Sequence, residues 1–204
     1  MTFIRSKAAY FWFCLTLLAI GAFTTLGPAD KALGTNVRIV YLHGAWVWAA
    51  LACFAVAAVA GLAGLLSQRP SLHAWSRALG RTGLLFWITY LPISMWAMQT
   101  SWNGLYLAEP RWRLGVIYAA GGLLLQVGIT LLEDPAWASA LNLLYAAILI
   151  FALQTAEQVM HPPSPIFSSD AWRIQLFFAG LVALTFLAAW QVARWFFAAH
   201  PIER

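Results

Sequence analysis

The sequence predicts an all-α integral membrane protein, with residues 1–204 forming a single bundle of six transmembrane helices. Composition is the first reason, because 62% of the 204 residues are hydrophobic and only 9% are charged. A water-soluble domain cannot cover that much apolar surface with so few polar groups. The second reason is that the apolar residues fall into six runs, each near the roughly 20 residues that cross a bilayer. No internal repeat and no separate soluble domain interrupts this pattern.

Six spans follow one another along the chain with polar connections between them. The predicted spans are Ala8–Leu26, Ile39–Leu66, Thr82–Met98, Leu114–Leu132, Ala136–Ala156 and Ala171–Ala193. The first follows Arg5 and Lys7 and is longer than the core of a secretory signal, so we expect it to remain uncleaved. The second exceeds the thickness of a bilayer and should tilt or protrude. Three arginines within 67–81 predict a cytoplasmic loop there.

The segment 101–113, between the third and fourth spans, concentrates aromatic rings, an acid and two cations. Trp102 and Tyr106 are four residues apart, so in a short helix both rings would project from one face. Pro110 disfavours a helical backbone at Glu109 and sets off a new element. We therefore expect a short amphipathic aromatic segment here. It would lie at the membrane surface or offer a flat apolar ring system a surface for stacking.

Charge placement predicts the orientation of the bundle and narrows the class of partner. The net charge is +5, but the cations are scattered among the polar connections with no basic run, which argues against a nucleic-acid partner and favours lipid. Seven of the twelve lysines and arginines fall on the side of the two termini. This bias predicts an integral protein of the cell (inner) membrane with both termini cytoplasmic. His43, the aromatic segment and His161 then share the outer face, and His73 and His200 share the inner face.

Two outer-face histidines beside an aromatic segment suggest a site for b-type haem. Haem iron takes axial imidazole nitrogens, and the ring needs apolar walls and cations near its propionates. His43 and His161 would supply the nitrogens. Each feature also has a plainer interpretation: an interfacial histidine that only hydrogen-bonds, an aromatic belt at the membrane surface, and a weak surface ion pair between Glu109 and Arg111 or Arg113.

At these residues the chain resembles the CcmC and CcsA families, the haem-handling proteins of cytochrome c maturation. Their tryptophan-rich signature reads Trp-Gly-x-x-Trp-x-Trp-Asp-Pro-Lys/Arg. Trp102 matches the opening tryptophan, Tyr106 takes an aromatic position, Glu109 stands where Asp is usual, and Pro110-Arg111 continue the motif. The spacing from Trp102 to Glu109 is that of the signature.

Two further stretches carry the resemblance, and three positions depart from it. Residues 38–43 resemble the segment bearing the family's first haem-ligand histidine, and residues 160–162 resemble the second. Asn103 replaces the signature glycine, Ala108 replaces a tryptophan, and Gly44 begins a stretch where the family tends to have proline. The resemblance runs from about Arg38 to the final helix.

The resemblance implies a protein that holds or delivers haem b at the outer membrane face for c-type cytochrome maturation, without itself catalysing a bond change. Its partners would be an ABC-type maturation module, a small single-span subunit and a haem chaperone. The site residues it implies are His43 and His161 as axial ligands of the iron, Trp102, Tyr106 and Trp46 around the haem, and Arg111 beside a propionate.

Two other classes of function stay open from the sequence. The first is a transmembrane electron-transfer subunit that keeps a bis-His b-type haem permanently. The second is a structural or transport subunit in which the histidines bind nothing. Transport through the bundle has little support, because Glu157, the acid closest to a span's interior, lies at the end of a span.

Overall fold

The computed structural model describes residues 7–160, 166–167 and 170–199, and within them the chain forms six α-helices. They are α1 (Lys7–Thr25), α2 (Val37–Ser67), α3 (Pro70–Trp102), α4 (Pro110–Leu132), α5 (Pro135–Gln154) and α6 (Trp172–Ala199). The only bridge between extended residues in the described ranges joins Asp30 and Gly34 within the first connection. The prediction of an all-helical chain is confirmed.

The second connection differs most from the prediction, since residues 67–81 do not form a loop. Only Gln68 and Arg69 separate α2 from α3. Gln68 adopts the left-handed conformation, with φ of 55°, and its N–H donates to the carbonyl of Gly64 at 2.8 Å, which ends α2. Pro70 then stands at the start of α3, where its missing N–H costs no hydrogen bond. Arginines that the sequence placed in a loop therefore belong to a helix.

Five of the six helices, all except α3, are long and apolar enough to cross a membrane. Helix α3 has 33 residues, about 50 Å at 1.5 Å per residue, but its first half carries His73, Arg77 and Arg81. It nevertheless lies inside the bundle, where it packs against α2, α4, α5 and α6. Its polar residues are thus placed against other helices.

Small residues allow these helices to approach closely. Ala45, Ala49 and Ala50 on α2 are fully buried. An added Cβ at Gly61 would lie 2.9 Å from the carbonyl oxygen of Ser139, and one at Gly80 would lie 2.7 Å from Oδ1 of Asn142. The contacts between α2, α3 and α5 therefore leave no space for larger side chains, as in other membrane bundles.

The bundle has two ends, which we name after their histidines. At the His43 end, Asn36 before α2 donates its side-chain amide to the carbonyl of Thr100 near the end of α3, at 3.1 Å. At the opposite, His73 end, Arg81 of α3 donates to the hydroxyl of Thr130 near the end of α4, at 3.1 Å. Successive helices therefore run in alternating directions, and the two histidines lie at opposite ends.

Candidate functional site

His43 lies in the second turn of α2 and is half-buried. Its ring centroid is 5.7 Å from that of Tyr90 on α3, and Tyr90 lies 4.8 Å from Trp87. Trp87 donates its indole N–H to the carbonyl of Gly115 on α4, at 3.1 Å. The Tyr90 hydroxyl fills the space that a side chain at position 115 would occupy, so glycine is required there. Tyr90 and Trp87 of α3 thus lie between His43 on α2 and Gly115 on α4, and α3 packs against both of these helices.

Trp102 and Tyr106 come together at the same end of the bundle. Trp102 is the last residue of α3, and Asn103 ends that helix in the left-handed conformation, with φ of 55°. Residues 103–109 form turns without helical structure, so the short amphipathic segment expected here is not confirmed. The two rings still meet edge to face, with centroids 5.7 Å apart. Tyr106 is 45% exposed, between the equally exposed Leu105 and Leu107, so this aromatic turn presents apolar surface outward.

Glu109 is buried rather than at the surface, where the plainer interpretation as a surface ion pair would place it. The side chain is only 5% exposed. Its Oε2 accepts the backbone N–H of Trp112 at 2.6 Å and so caps the start of α4, and its backbone is non-helical, as Pro110 predicts. Its Oε1 is buried and has no hydrogen-bond partner among the described residues. A buried carboxylate oxygen without a donor costs free energy.

Arg111 and Trp46 complete the predicted set within the described residues. Arg111 lies in the first turn of α4, half-exposed, at the His43 end. Trp46 lies one turn further into α2 than His43. It donates its indole N–H to the hydroxyl of Thr89 at 2.9 Å, and its ring lies 5.0 Å from that of Phe86. Trp46 therefore holds α2 against α3 directly beneath His43.

His161, the second predicted ligand, lies outside the described residues. The described part of the same connection, residues 166 and 167, packs at the His43 end of the bundle. The ring of Phe167 lies 6.0 Å from that of Trp48 on α2 and 5.5 Å from that of Phe178 on α6. Phe167 therefore packs against both α2 and α6 at this end.

The described residues contain no group of three or more His, Cys, Asp or Glu side chains that could hold a metal ion. A haem iron does not need such a group, because the porphyrin fills four of its positions and axial side chains the others. What the His43 end offers is one half-buried imidazole, an exposed aromatic turn and a first-turn cation. Those residue types suit a flat, apolar, partly anionic ring.

A buried polar layer at the His73 end was not predicted from the sequence. His73 was expected in a loop, but it lies in α3 and is only 6% exposed. Its Nδ1 hydrogen-bonds to the hydroxyl of Ser139 at 2.7 Å. One turn further along α3, the carbonyl of Ser76 accepts from the side-chain amide of Asn142 at 3.1 Å. The spacing of His73, Ser76 and Gly80 along one helical face was the signal that could have revealed this layer.

Comparison with known proteins yields one partial similarity. No protein-family model matches the chain. The chain is similar to a cytochrome c biosynthesis ccmC-like mitochondrial protein of Marchantia polymorpha, with 27% identity over 100 residues. The matched region is 49% of this chain and 43% of that protein, so the similarity covers less than half of the relative.

Proposed function

We propose that this protein is a six-span membrane protein of cytochrome c biogenesis that receives and releases haem b at its His43 end. The observation that carries the proposal is the arrangement at that end, where α2 carries a half-buried imidazole, the turn after α3 carries exposed aromatic and apolar side chains, and the first turn of α4 carries an arginine. The partial similarity to a ccmC-like protein supports the same function independently.

The two described histidines differ in a way that favours His43 as a ligand. A histidine that holds an external molecule needs a ring that the molecule can reach. His43 is half-buried, whereas His73 is 6% exposed and hydrogen-bonded to Ser139 within the bundle. In this proposal His43 and His161 hold the iron of the haem from its two faces.

The remaining residues of the proposed site have separate tasks. Trp102 and Tyr106 supply an aromatic surface for the porphyrin, and Arg111 pairs with a propionate. Trp46 acts indirectly, by holding α2 on α3 beneath His43. Haem b is the cargo of this protein and no covalent bond of the porphyrin is made or broken, so the protein's part is to bind, orient and release.

Helix α3 is the sixth span in this proposal. Its central position among four other helices supports crossing, and its polar residues contact α4 and α5 at the His73 end. The excess of cations on the side of the termini supports an inner-membrane protein with cytoplasmic termini and an outward-facing His43 end. The expected partners are an ABC-type maturation module, a small single-span subunit and a haem chaperone.

The orientation is tested by cysteine labelling, in a variant whose Cys14 and Cys53 are replaced by alanine. A cysteine introduced at the exposed Ala108 should react with an impermeant thiol reagent added to intact spheroplasts. One introduced at the exposed Ser71 should react only after the membrane is opened. The reverse pattern would place the His43 end in the cytoplasm and contradict this part of the proposal.

The haem site is tested by absorption spectra of the purified, haem-loaded protein before and after dithionite reduction. His43→Ala and His161→Ala should each lower the haem content and change the reduced spectrum, because each removes one axial ligand. Added imidazole should partly restore binding by filling the vacant position. His200→Ala is the control and should match the unsubstituted protein. Full haem content in either ligand variant would show that the iron is held elsewhere.

Transfer to apomyoglobin separates transient haem handling from permanent electron transfer. A handling site should lose its haem to apomyoglobin and respond to cyanide, because its ligand bonds must be breakable. Complete retention with no spectral response would favour an electron-transfer subunit.

A further inference from the structure

A cleft between α3 and α4 at the His73 end combines one cation with polar and aliphatic walls. Its volume is about 280 Å³ and its lining residues are Arg81, Leu123, Gln126, Val127, Thr130 and Leu131. The three aliphatic side chains are 50% to 78% exposed, so they border the bilayer rather than the core. None of the six lining residues is acidic.

Gln126 lines this cleft, and one atom of its side-chain amide has no hydrogen-bond partner among the described residues. The neighbouring hydrogen bonds identify that atom as the amide oxygen. Asn142 must donate through Nδ2, because its partner at 3.1 Å is the carbonyl oxygen of Ser76. Its Oδ1 is therefore the acceptor for Nε2 of Gln126, at 3.0 Å. Oε1 of Gln126 is then left buried without a hydrogen-bond partner among the described residues.

The free oxygen belongs to a side chain that is itself 91% buried, with 9% exposed. A buried amide oxygen without a donor costs roughly 1–3 kcal/mol. Gln126 lies six residues before the end of α4, about 9 Å along the helix axis. A lipid head group that reaches this depth beside Arg81 can supply the missing donor.

Arg81 is held at the wall of the same cleft. Thr130 donates its hydroxyl hydrogen to the backbone carbonyl of Gln126 at 2.7 Å, so its oxygen is available to accept from Nη2 of Arg81 at 3.1 Å. This contact keeps the guanidinium near Gln126. A guanidinium favours phosphate oxygens, and basic pockets between transmembrane helices commonly bind anionic head groups.

We propose that this cleft binds the head group of an anionic glycerophospholipid of the phosphatidylglycerol type. Its phosphate would pair with Arg81, a head-group hydroxyl would donate to Oε1 of Gln126, and an acyl chain would follow the exposed leucines and valine. Phosphatidylcholine offers a phosphate but neither net negative charge nor a hydroxyl donor. This site is independent of haem binding, which lies at the other end of the bundle.

The test compares lipid binding to the full chain in phosphatidylcholine nanodiscs containing phosphatidylglycerol or phosphatidylmethanol. Phosphatidylmethanol keeps the anionic phosphate but has no hydroxyl donor. Bound lipid is counted by native mass spectrometry, and affinity is obtained from the lipid-dependent rise in melting temperature. Phosphatidylglycerol should bind about three- to tenfold more tightly than phosphatidylmethanol, which corresponds to one neutral hydrogen bond.

Three variants identify the residues responsible. Arg81→Gln should lower the affinity for both anionic lipids by about tenfold or more, the effect expected when a charge-assisted contact is lost. Gln126→Leu should bind phosphatidylglycerol and phosphatidylmethanol equally well. It should still prefer both anionic lipids to phosphatidylcholine. Arg77→Gln removes the same charge one turn earlier on α3, outside the cleft lining, and should change neither lipid's affinity.

Other outcomes overturn the proposal. An equal loss of lipid affinity in Arg77→Gln and Arg81→Gln would indicate diffuse attraction to an anionic membrane. Equal affinity of the unsubstituted protein for phosphatidylglycerol and phosphatidylmethanol would show that Gln126 does not accept a hydrogen bond from the head group. Displacement of the lipid by soluble glycerol phosphate at matched concentration would show a site for a free phosphate ester. Haem content should stay unchanged in all three variants, so a failure here is distinguishable from a failure at the His43 end.

Discussion

The two ends of this bundle use histidine in opposite ways. At the His73 end the imidazole is buried, is bonded to Ser139 and lies beside Gly64, where an added Cβ would be 3.0 Å from its Nδ1. At the His43 end the imidazole is half-buried, with aromatic rings around it and an exposed aromatic turn at the same end. A histidine packed among small residues with a fixed partner stabilises helix contacts. One that lies half-buried among aromatic rings is the haem ligand we propose.

The largest expected effect on stability comes from enlarging a small residue at the His73 end. Gly61→Ala would bring a Cβ within 2.9 Å of the Ser139 carbonyl, which belongs to the backbone and cannot rotate away. We expect a loss of about 1–3 kcal/mol in the free energy of unfolding, measured by denaturant or heat in detergent. Gly128→Ala is the matched control, because nothing lies within 4 Å of a Cβ there. An equal response at both positions would contradict the close packing of α2 on α5.

Replacing each histidine by alanine tests whether the two ends use histidine differently. His73→Ala leaves the Ser139 hydroxyl without its partner in a buried position, and we expect a loss of about 2 kcal/mol in stability. His43→Ala should change stability by about 0.5 kcal/mol or less, since the ring is half-buried, yet it should lower haem binding. Thermal unfolding and haem titration of both variants supply the two measurements. A stability loss at His43 as large as that at His73 would assign both histidines to packing.

Glu109 offers a smaller test within the His43 end. Glu109→Gln keeps an oxygen for the Trp112 N–H but removes a buried charge, so stability should rise by up to about 1 kcal/mol. Glu109→Ala loses the cap and should lower stability by about 1 kcal/mol. Unfolding of the haem-free protein measures both. A loss with Gln as large as that with Ala would mean that the negative charge is needed for the fold.

The smallest effect concerns pH and the connection that ties α1 to α2. Backbone N–H groups of Leu33 and Ala32 donate to Asp30 and lower the pKa of its carboxyl. A lowered pKa stabilises the fold at pH values above the unfolded pKa of about 3.9, and this contribution is lost as the pH falls through the folded value. Asp30→Asn should therefore make the melting temperature depend slightly less on pH in the acid range. If the melting temperature of Asp30→Asn fell with acid as steeply as that of the unsubstituted protein, the Asp30 turn would not contribute to the pH dependence of stability.

Local patterns in the sequence were enough for some features of this fold. Long runs of apolar residues predict helices because a helix makes its backbone hydrogen bonds within its own segment. A helix can therefore be predicted without knowing which other elements it contacts. The non-helical backbone of Glu109 was predictable because proline restricts the residue before it. The proximity of Trp102 and Tyr106 was expected from their spacing, although a turn rather than a helix brings the rings together.

The tertiary structure decided which polar residues are buried, because burial depends on contacts between residues distant in sequence. Three arginines between two apolar runs look like a loop, yet α3 extends back to Pro70 because Ser139, Asn142 and Thr130 provide partners for its polar face. The same holds for Glu109, whose burial could not be predicted from its charged neighbours. Sequence alone determined that the chain is helical and which residue types lie near each apolar run. Only the packed bundle separated the buried His73, bonded to Ser139, from the half-buried His43, since that distinction depends on what the other helices place beside each ring.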